Sequence, residues 1–146
     1  MTKSKSILHH TLAALALIAA TPVAFHASAA AEQGDEAVIS SGRWEKKSFA
    51  ADGSWSIVDR GGARYVTLSA DFKTKNAPDL KIFLSPKSAG ELNGRNATDG
   101  SVLIAPLSAA SGAQEYVIPA DVDLSAYETI IIHCEAFSKL WSVAPL

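Results

Sequence analysis

The chain has 146 residues, with 13 basic and 15 acidic side chains and a formal charge of −2. This length accommodates one small domain and excludes a two-domain enzyme, because single cores close at about 100 to 200 residues. The slightly acidic balance disfavours nucleic acid as a partner.

The first 31 residues have the pattern of a secretory signal peptide. Lys3 and Lys5 form a short positive region, and an Ala- and Leu-rich stretch follows at 12–20. Small residues at 27–29 and at 29–31 offer two alternative cleavage sites. The apolar run falls short of the roughly 20 residues that span a bilayer. We therefore predict a cleaved leader and a bacterial protein that is periplasmic or secreted, with no membrane span in its mature form.

The mature chain is predicted to begin with a short linker at 32–40, followed by one β domain at 41–146. Loss of the two leader lysines leaves 11 basic against 15 acidic side chains, a formal charge of −4. The clearest strand signal lies at 64–72, where Val66, Leu68, Ala70 and Phe72 alternate with polar residues. This period of two is typical of a half-buried strand.

Similar runs, separated by Gly, Asn and Asp turn signals, predict about eight strands. They lie at 43–49, 55–60, 64–72, 80–85, 102–107, 115–118, 129–135 and 140–144. Gly61 and Gly62 are expected to form a two-residue hairpin turn, and residues 124–127 a single helical turn. The predicted fold is all-β, an antiparallel sandwich with a barrel-like arrangement as the alternative.

The longest irregular stretch, residues 86–101, is polar and holds three glycines. It is predicted to be a surface loop. Long loops on β scaffolds often carry binding residues, and the alternative is a plain mobile connection.

The residues available for chemistry are few. Beyond residue 31 the chain has one histidine, His133, one cysteine, Cys134, and no methionine. A blue-copper centre, a structural zinc site and a covalent haem attachment each need more His or Cys residues than this. We therefore expect no metal site, no hydrolytic triad and no internal disulfide. Whether the domain is an enzyme stays open, with no stand-alone activity favoured.

Alternation along 130–135 places Cys134 on one face of a strand and His133 on the other. A Cys–His dyad would therefore need a bulge. Cys134 is either a buried apolar filler or a redox thiol that forms a mixed disulfide or ligates haem. His133 is expected to be a surface histidine bonded to a carboxylate, or else a ligand. Trp141 either packs in the core or stacks on a planar ligand.

The C-terminal third carries a more specific signal, the run IIIHCEAFSKLW at 130–141. It is accompanied, in chain order, by APDL at 77–80, IFL at 82–84, the strand at 103–107, YVIP at 116–119 and Tyr127. Together these pieces resemble the DM-thirteen domain over residues 41–146. That electron-transfer family occurs alone in exported bacterial proteins and beside DOMON domains in animals.

The resemblance implies an all-β domain with a characteristic cysteine in its penultimate strand, which falls on Cys134. It implies an exported redox or electron-transfer accessory module centred on Cys134, with His133 and Trp141 as cofactor-binding candidates and haem as the candidate cofactor. Animal members often carry an aromatic residue where this chain has His133. The alternative is a non-catalytic periplasmic module that binds a partner or small ligand through residues 86–101, with Cys134 only packed. In either case the envelope partner is unidentified.

Export can be tested directly. We expect protein recovered from the periplasm or the medium to begin near Ala30 or Glu32, because signal peptidase cuts after small residues. N-terminal sequencing measures this. Recovery of protein that retains Lys3 would contradict the prediction.

Overall fold

The computed structural model describes residues 35–146, and the predicted signal peptide lies outside them. The described part is all-β, with two single-turn 3-10 helices at Leu124–Ala126 and Glu135–Phe137. In chain order the strands are β1 (Glu36–Arg43), β2 (Glu45–Lys46), β3 (Ala51–Asp52), β4 (Ser54–Arg60), β5 (Ala63–Leu68), β6 (Lys73–Thr74), β7 (Leu80–Ser85), β8 (Val102–Pro106), β9 (Gln114–Ile118), β10 (Thr129–Cys134) and β11 (Lys139–Pro145). Within residues 35–146 no helix is long and apolar enough to cross a bilayer.

The long strands form two antiparallel sheets, in the orders β1-β4-β5-β9 and β2-β11-β10-β7-β8. Strands β3 and β6 make a separate two-stranded pair. One buried cluster joins the two sheets, with Trp55 and Val66 from the first and Ile82 and Ile132 from the second. Neither sheet closes on itself, so the described residues form a sandwich, as predicted, and not a barrel. Eight strands have five or more residues, and seven of them coincide with predicted runs. The eighth is β1, whereas the run predicted at 43–49 holds only its last residue and the two-residue β2.

The hairpin between β4 and β5 has the predicted two-glycine turn. Gly61 and Gly62 have positive φ angles of 63° and 89°, which the tight turn of a two-residue hairpin requires. The Gly62 N–H donates to Oδ1 of Asp59 over 2.8 Å. The turn fixes the register in which Arg60 faces Ala63.

Some boundaries differ from the sequence prediction. Residues 36–40, predicted to be a linker, form the first half of β1 and pair with β4. Residues 36–39 are exposed and Ser40 is half-buried. Backbone pairing with β4, and not burial of one face, therefore forms this part of the strand, which is why the sequence shows no alternation of apolar and polar residues there. The strand predicted at 64–72 ends at Leu68, because the Phe72 N–H donates to the Ser69 carbonyl and closes a turn.

Residues 86–101, which we call the cover loop, pack against the outer face of the five-stranded sheet. Leu92 and Ala97 of this loop are buried in a second apolar cluster. Their partners on the sheet are Phe83, Ile131, Leu140 and Val143. These buried apolar residues attach an otherwise polar loop to the sheet, and the Thr129 hydroxyl adds a hydrogen bond to the Lys87 carbonyl.

Gly94 is the point of closest approach between the cover loop and the turn that joins β10 to β11. A Cβ atom at Gly94 would overlap the carbonyl oxygen of Ser138. The absence of a side chain therefore allows the loop to cross the turn in direct contact with its backbone.

We expect Gly94→Ala to displace the cover loop and to lower the free energy of unfolding by about 1 to 3 kcal/mol, because overpacked sites respond in this range. Urea denaturation measures the stability, and limited proteolysis within residues 86–101 reports the displacement. Gly90→Ala is the matched control, since a Cβ atom there meets nothing within 4 Å. Equal behaviour of the two variants would contradict the close packing at Gly94.

Candidate functional site

The three residues singled out by the sequence lie around one hairpin, formed by β10, the 3-10 turn and β11. Cys134 ends β10 and faces Leu80 of β7. His133 faces Leu140 of β11, and the register then shifts so that Trp141 has no residue directly opposite. The bulge is thus on β11, and the regular pairing of β10 with β7 is maintained. Cys134 and His133 therefore stay on opposite faces and form no dyad.

Cys134 belongs to the core between the two sheets. Its exposed fraction is 0%, and it is a free thiol. In the register of the hairpin it lies opposite Lys139. This burial matches one of the two alternatives from the sequence, the apolar filler, and it means that a reagent reaches the sulfur only after the structure opens locally or globally.

His133 is on the outer face of the same sheet and is also buried, with 3% of its surface exposed. The expected surface histidine bonded to a carboxylate is wrong, because the cover loop encloses this face. The ring meets that of Phe83 edge-on at a centroid distance of 6.3 Å. Its Nδ1 atom is buried without a hydrogen-bond partner.

The charges around His133 pair with one another instead. Lys81 forms ion pairs with Glu135 and with Asp79, the latter over 3.2 Å, and these hydrogen bonds raise the pKa of Lys81. Burial lowers the pKa of His133, and the negative charges of Glu135 and Asp79 oppose that effect. The imidazole is therefore neutral at pH 7.

A pocket of about 390 Å³ opens beside His133. The cover loop lines it with Gly94, Arg95 and Thr98, and the hairpin with Glu135 and Ser138. Its walls are polar and contain both signs of charge, so the pocket suits a small polar molecule better than a flat apolar one.

Trp141 both packs in the core and lines a second cleft. It is 2% exposed, its Nε1–H donates to Oγ1 of Thr74 over 2.9 Å, and its ring lies 4.1 Å from that of Phe49. The second cleft, of about 350 Å³, is called the aromatic cleft below. It is lined by Phe49, Lys75, Asn76, Ala77, Pro78, Phe137, Lys139 and Trp141.

Ligated haem does not fit these surroundings. The lining of the aromatic cleft holds no His, Cys, Met or Tyr side chain to serve as an axial ligand. The pocket beside His133 has a potential ligand but lacks apolar walls. Across residues 35–146, no three His, Cys, Asp or Glu side chains come together as a metal site would require.

A comparison of the sequence with models of protein families gives a match that covers every strand of the described sandwich except β1. A sequence model described as Electron transfer DM13 matches residues 44–146. The chain belongs to the Electron transfer DM13 family. The resemblance carried by the run at 130–141 is thereby confirmed. No curated protein and no solved structure matches the chain.

Several residues around the DM13 candidate residues were not anticipated from the sequence. Arg95 and Thr98 reach His133 because the cover loop packs on the sheet, and Phe49 reaches Trp141 across the fold. Phe137 could have been found from the sequence, since it lies only three residues after Cys134, in the hairpin turn. The others are joined only by long-range packing.

The buried His133 predicts a specific pH dependence. Because its folded-state pKa lies below the usual 6.5, the unfolded chain binds the proton more readily. The contribution of neutral His133 to the free energy of unfolding is fully present above pH 6.5. It decreases as the pH falls through 6.5 toward the lowered pKa, by at most about 1.4 kcal/mol per pH unit. Urea denaturation between about pH 5.5 and 7.5 measures this effect.

His133→Gln is the matched variant, since it keeps a polar side chain without the titration. The slope of stability against pH should become flatter in this variant, whatever its absolute stability. Hydrogen bonds from Ser69 and Ser88 lower the pKa values of Asp71 and Glu91. Protonation of these two carboxylates therefore affects the free energy of unfolding only at more acidic pH. An unchanged slope in His133→Gln would contradict the assignment.

Proposed function

We propose that the domain is an exported accessory module for redox or electron-transfer reactions, with Cys134 as its redox residue. The observation that carries the proposal is the match to the Electron transfer DM13 family over residues 44–146. The position of Cys134 adds support, since the last residue of β10 adjoins a short turn and not a long element. The signal-peptide pattern at 1–31 supports export, where disulfide-containing partners occur.

The chemistry proposed for Cys134 is thiol–disulfide exchange with a partner protein. The Cys134 sulfur attacks one sulfur of a partner disulfide, the partner S–S bond breaks, and a mixed disulfide forms. The proton lost by Cys134 ends on the released partner thiol. One cysteine cannot close an internal disulfide, so a second thiol of the partner must resolve the mixed disulfide and regenerate Cys134.

This chemistry requires a conformational step, because the sulfur is fully buried. We place this step at the turn 135–138, because it directly follows Cys134 in the chain. It is a single 3-10 turn closed by Ser138 in the left-handed region, with φ of 47°. A non-glycine residue costs energy in this conformation, so local opening of the turn relieves strain as it exposes Cys134.

The second candidate function is a non-catalytic binding module in which Cys134 is only packed. Full burial of the sulfur favours it, and so does the docked cover loop, which places Arg95 and Thr98 beside His133. The ligand would then be a small polar molecule or a partner that contacts residues 86–101.

Labelling of Cys134 with a small thiol reagent across a urea series separates the two functions. The redox proposal expects labelling of the native protein at a rate that changes little with urea, because local opening exposes little surface. The binding-module proposal expects labelling that follows the full urea dependence of global unfolding.

Ala113→Cys in a Cys134→Ala background provides the control, since residue 113 is exposed and reports the unprotected rate. Labelling of Cys134 only through global unfolding would exclude the redox role. An absorbance scan after addition of haem completes the test, and we expect no Soret shift, because neither pocket combines an axial ligand with apolar walls.

A further inference from the structure

The aromatic cleft combines exposed aromatic surface with a fixed shape. Phe137 is 55% exposed and lines the cleft, so its ring is available to a ligand. The Phe49 and Trp141 rings line the same cleft, with their planes tilted by 36° and their centroids 4.1 Å apart. Because the Trp141 indole is anchored on Thr74, this wall exists before a ligand arrives. Preformed apolar walls reduce the entropy cost of binding.

The cleft is also positively charged. Lys75 and Lys139 line it, and no carboxylate does. Within residues 35–146 neither lysine forms an ion pair, and the Lys75 ammonium lies 4.8 Å from the centre of the Phe49 ring. The nearby carboxylates of Asp79 and Glu135 are already paired with Lys81. A region of positive charge thus remains on a chain that is acidic beyond residue 31.

We propose that the aromatic cleft binds a small planar aromatic molecule that carries a carboxylate. The ring system packs between Phe137 and the Phe49–Trp141 pair, and the carboxylate lies between the two lysine ammonium groups. A volume of about 350 Å³ is at the lower end of ligand pockets and suits two fused rings. The proposal requires no reaction at Cys134 and does not involve the pocket beside His133, although Phe137 belongs to the turn at 135–138.

The test compares three probes with the same naphthalene ring and different charge: 2-naphthoate, 2-naphthylmethanol and 2-naphthylmethylammonium. NMR titration of the full domain follows the Trp141 indole N–H and the backbone amides of Phe137 and Lys139. We expect 2-naphthoate to bind most tightly and the ammonium compound most weakly. Equal affinity for all three probes, or no shift at these three residues, would overturn the proposal.

Variants separate the two parts of the site. Phe137→Ala should weaken all three probes by about fivefold, because an aromatic contact is lost, and its exposed position leaves the fold intact. Lys75→Gln and Lys139→Gln should each weaken only 2-naphthoate, by about threefold, as expected for an exposed charge. Lys46→Gln, on β2 and outside the cleft lining, is the matched control. If Lys46→Gln weakened 2-naphthoate binding as much as the cleft variants do, the net charge of the domain would explain the effect. That outcome would refute the site.

Discussion

The burial of β10 on both faces is the constraint on which the rest of the structure depends. All six residues of this strand are buried, although only one face points into the sandwich. Hydrogen bonds to β7 and β11 occupy both edges, and the cover loop closes the outer face. Each of its three isoleucines contributes roughly 1.5 to 3 kcal/mol when fully buried, so the strand strongly favours any arrangement that keeps both faces covered.

On the outer face of β10, the cover loop provides a hydrogen-bond partner for one polar side chain but not for the other. Thr129 donates its hydroxyl to the Lys87 carbonyl over 2.8 Å, and Ile131 joins the apolar cluster around Leu92. Of these three outer-face residues, only His133 has a buried side-chain nitrogen without a hydrogen-bond partner. A buried polar atom left unpaired costs about 1 to 3 kcal/mol, and here it adjoins a pocket lined by polar groups. The unpaired nitrogen therefore belongs to a residue that lines the pocket between the cover loop and the hairpin.

The sequence predicted those features of the structure that depend on neighbouring residues in the chain. Alternation predicted that Cys134 and His133 face opposite ways, and the two glycines at 61–62 predicted their hairpin. It was not informative where a residue's surroundings come from distant parts of the chain. His133 is buried because Leu92 and Ala97 attach a loop over it, and neither residue belongs to a periodic run. The first half of β1 was missed for a related reason, since its pairing with β4 leaves no apolar alternation.

The cover loop has a consequence for solubility. Without it, Phe83, Ile131 and Val143 would present a contiguous apolar surface on a flat sheet, and such surfaces promote association between protein molecules. The segment TIIIHC at 129–134 is rich in β-branched residues and has no Asp, Glu, Lys or Arg. This composition is typical of segments that form cross-β aggregates. The polar cover loop, whose Leu92 and Ala97 pack on the sheet, thus shields this segment from other molecules and allows the domain to retain an apolar central strand.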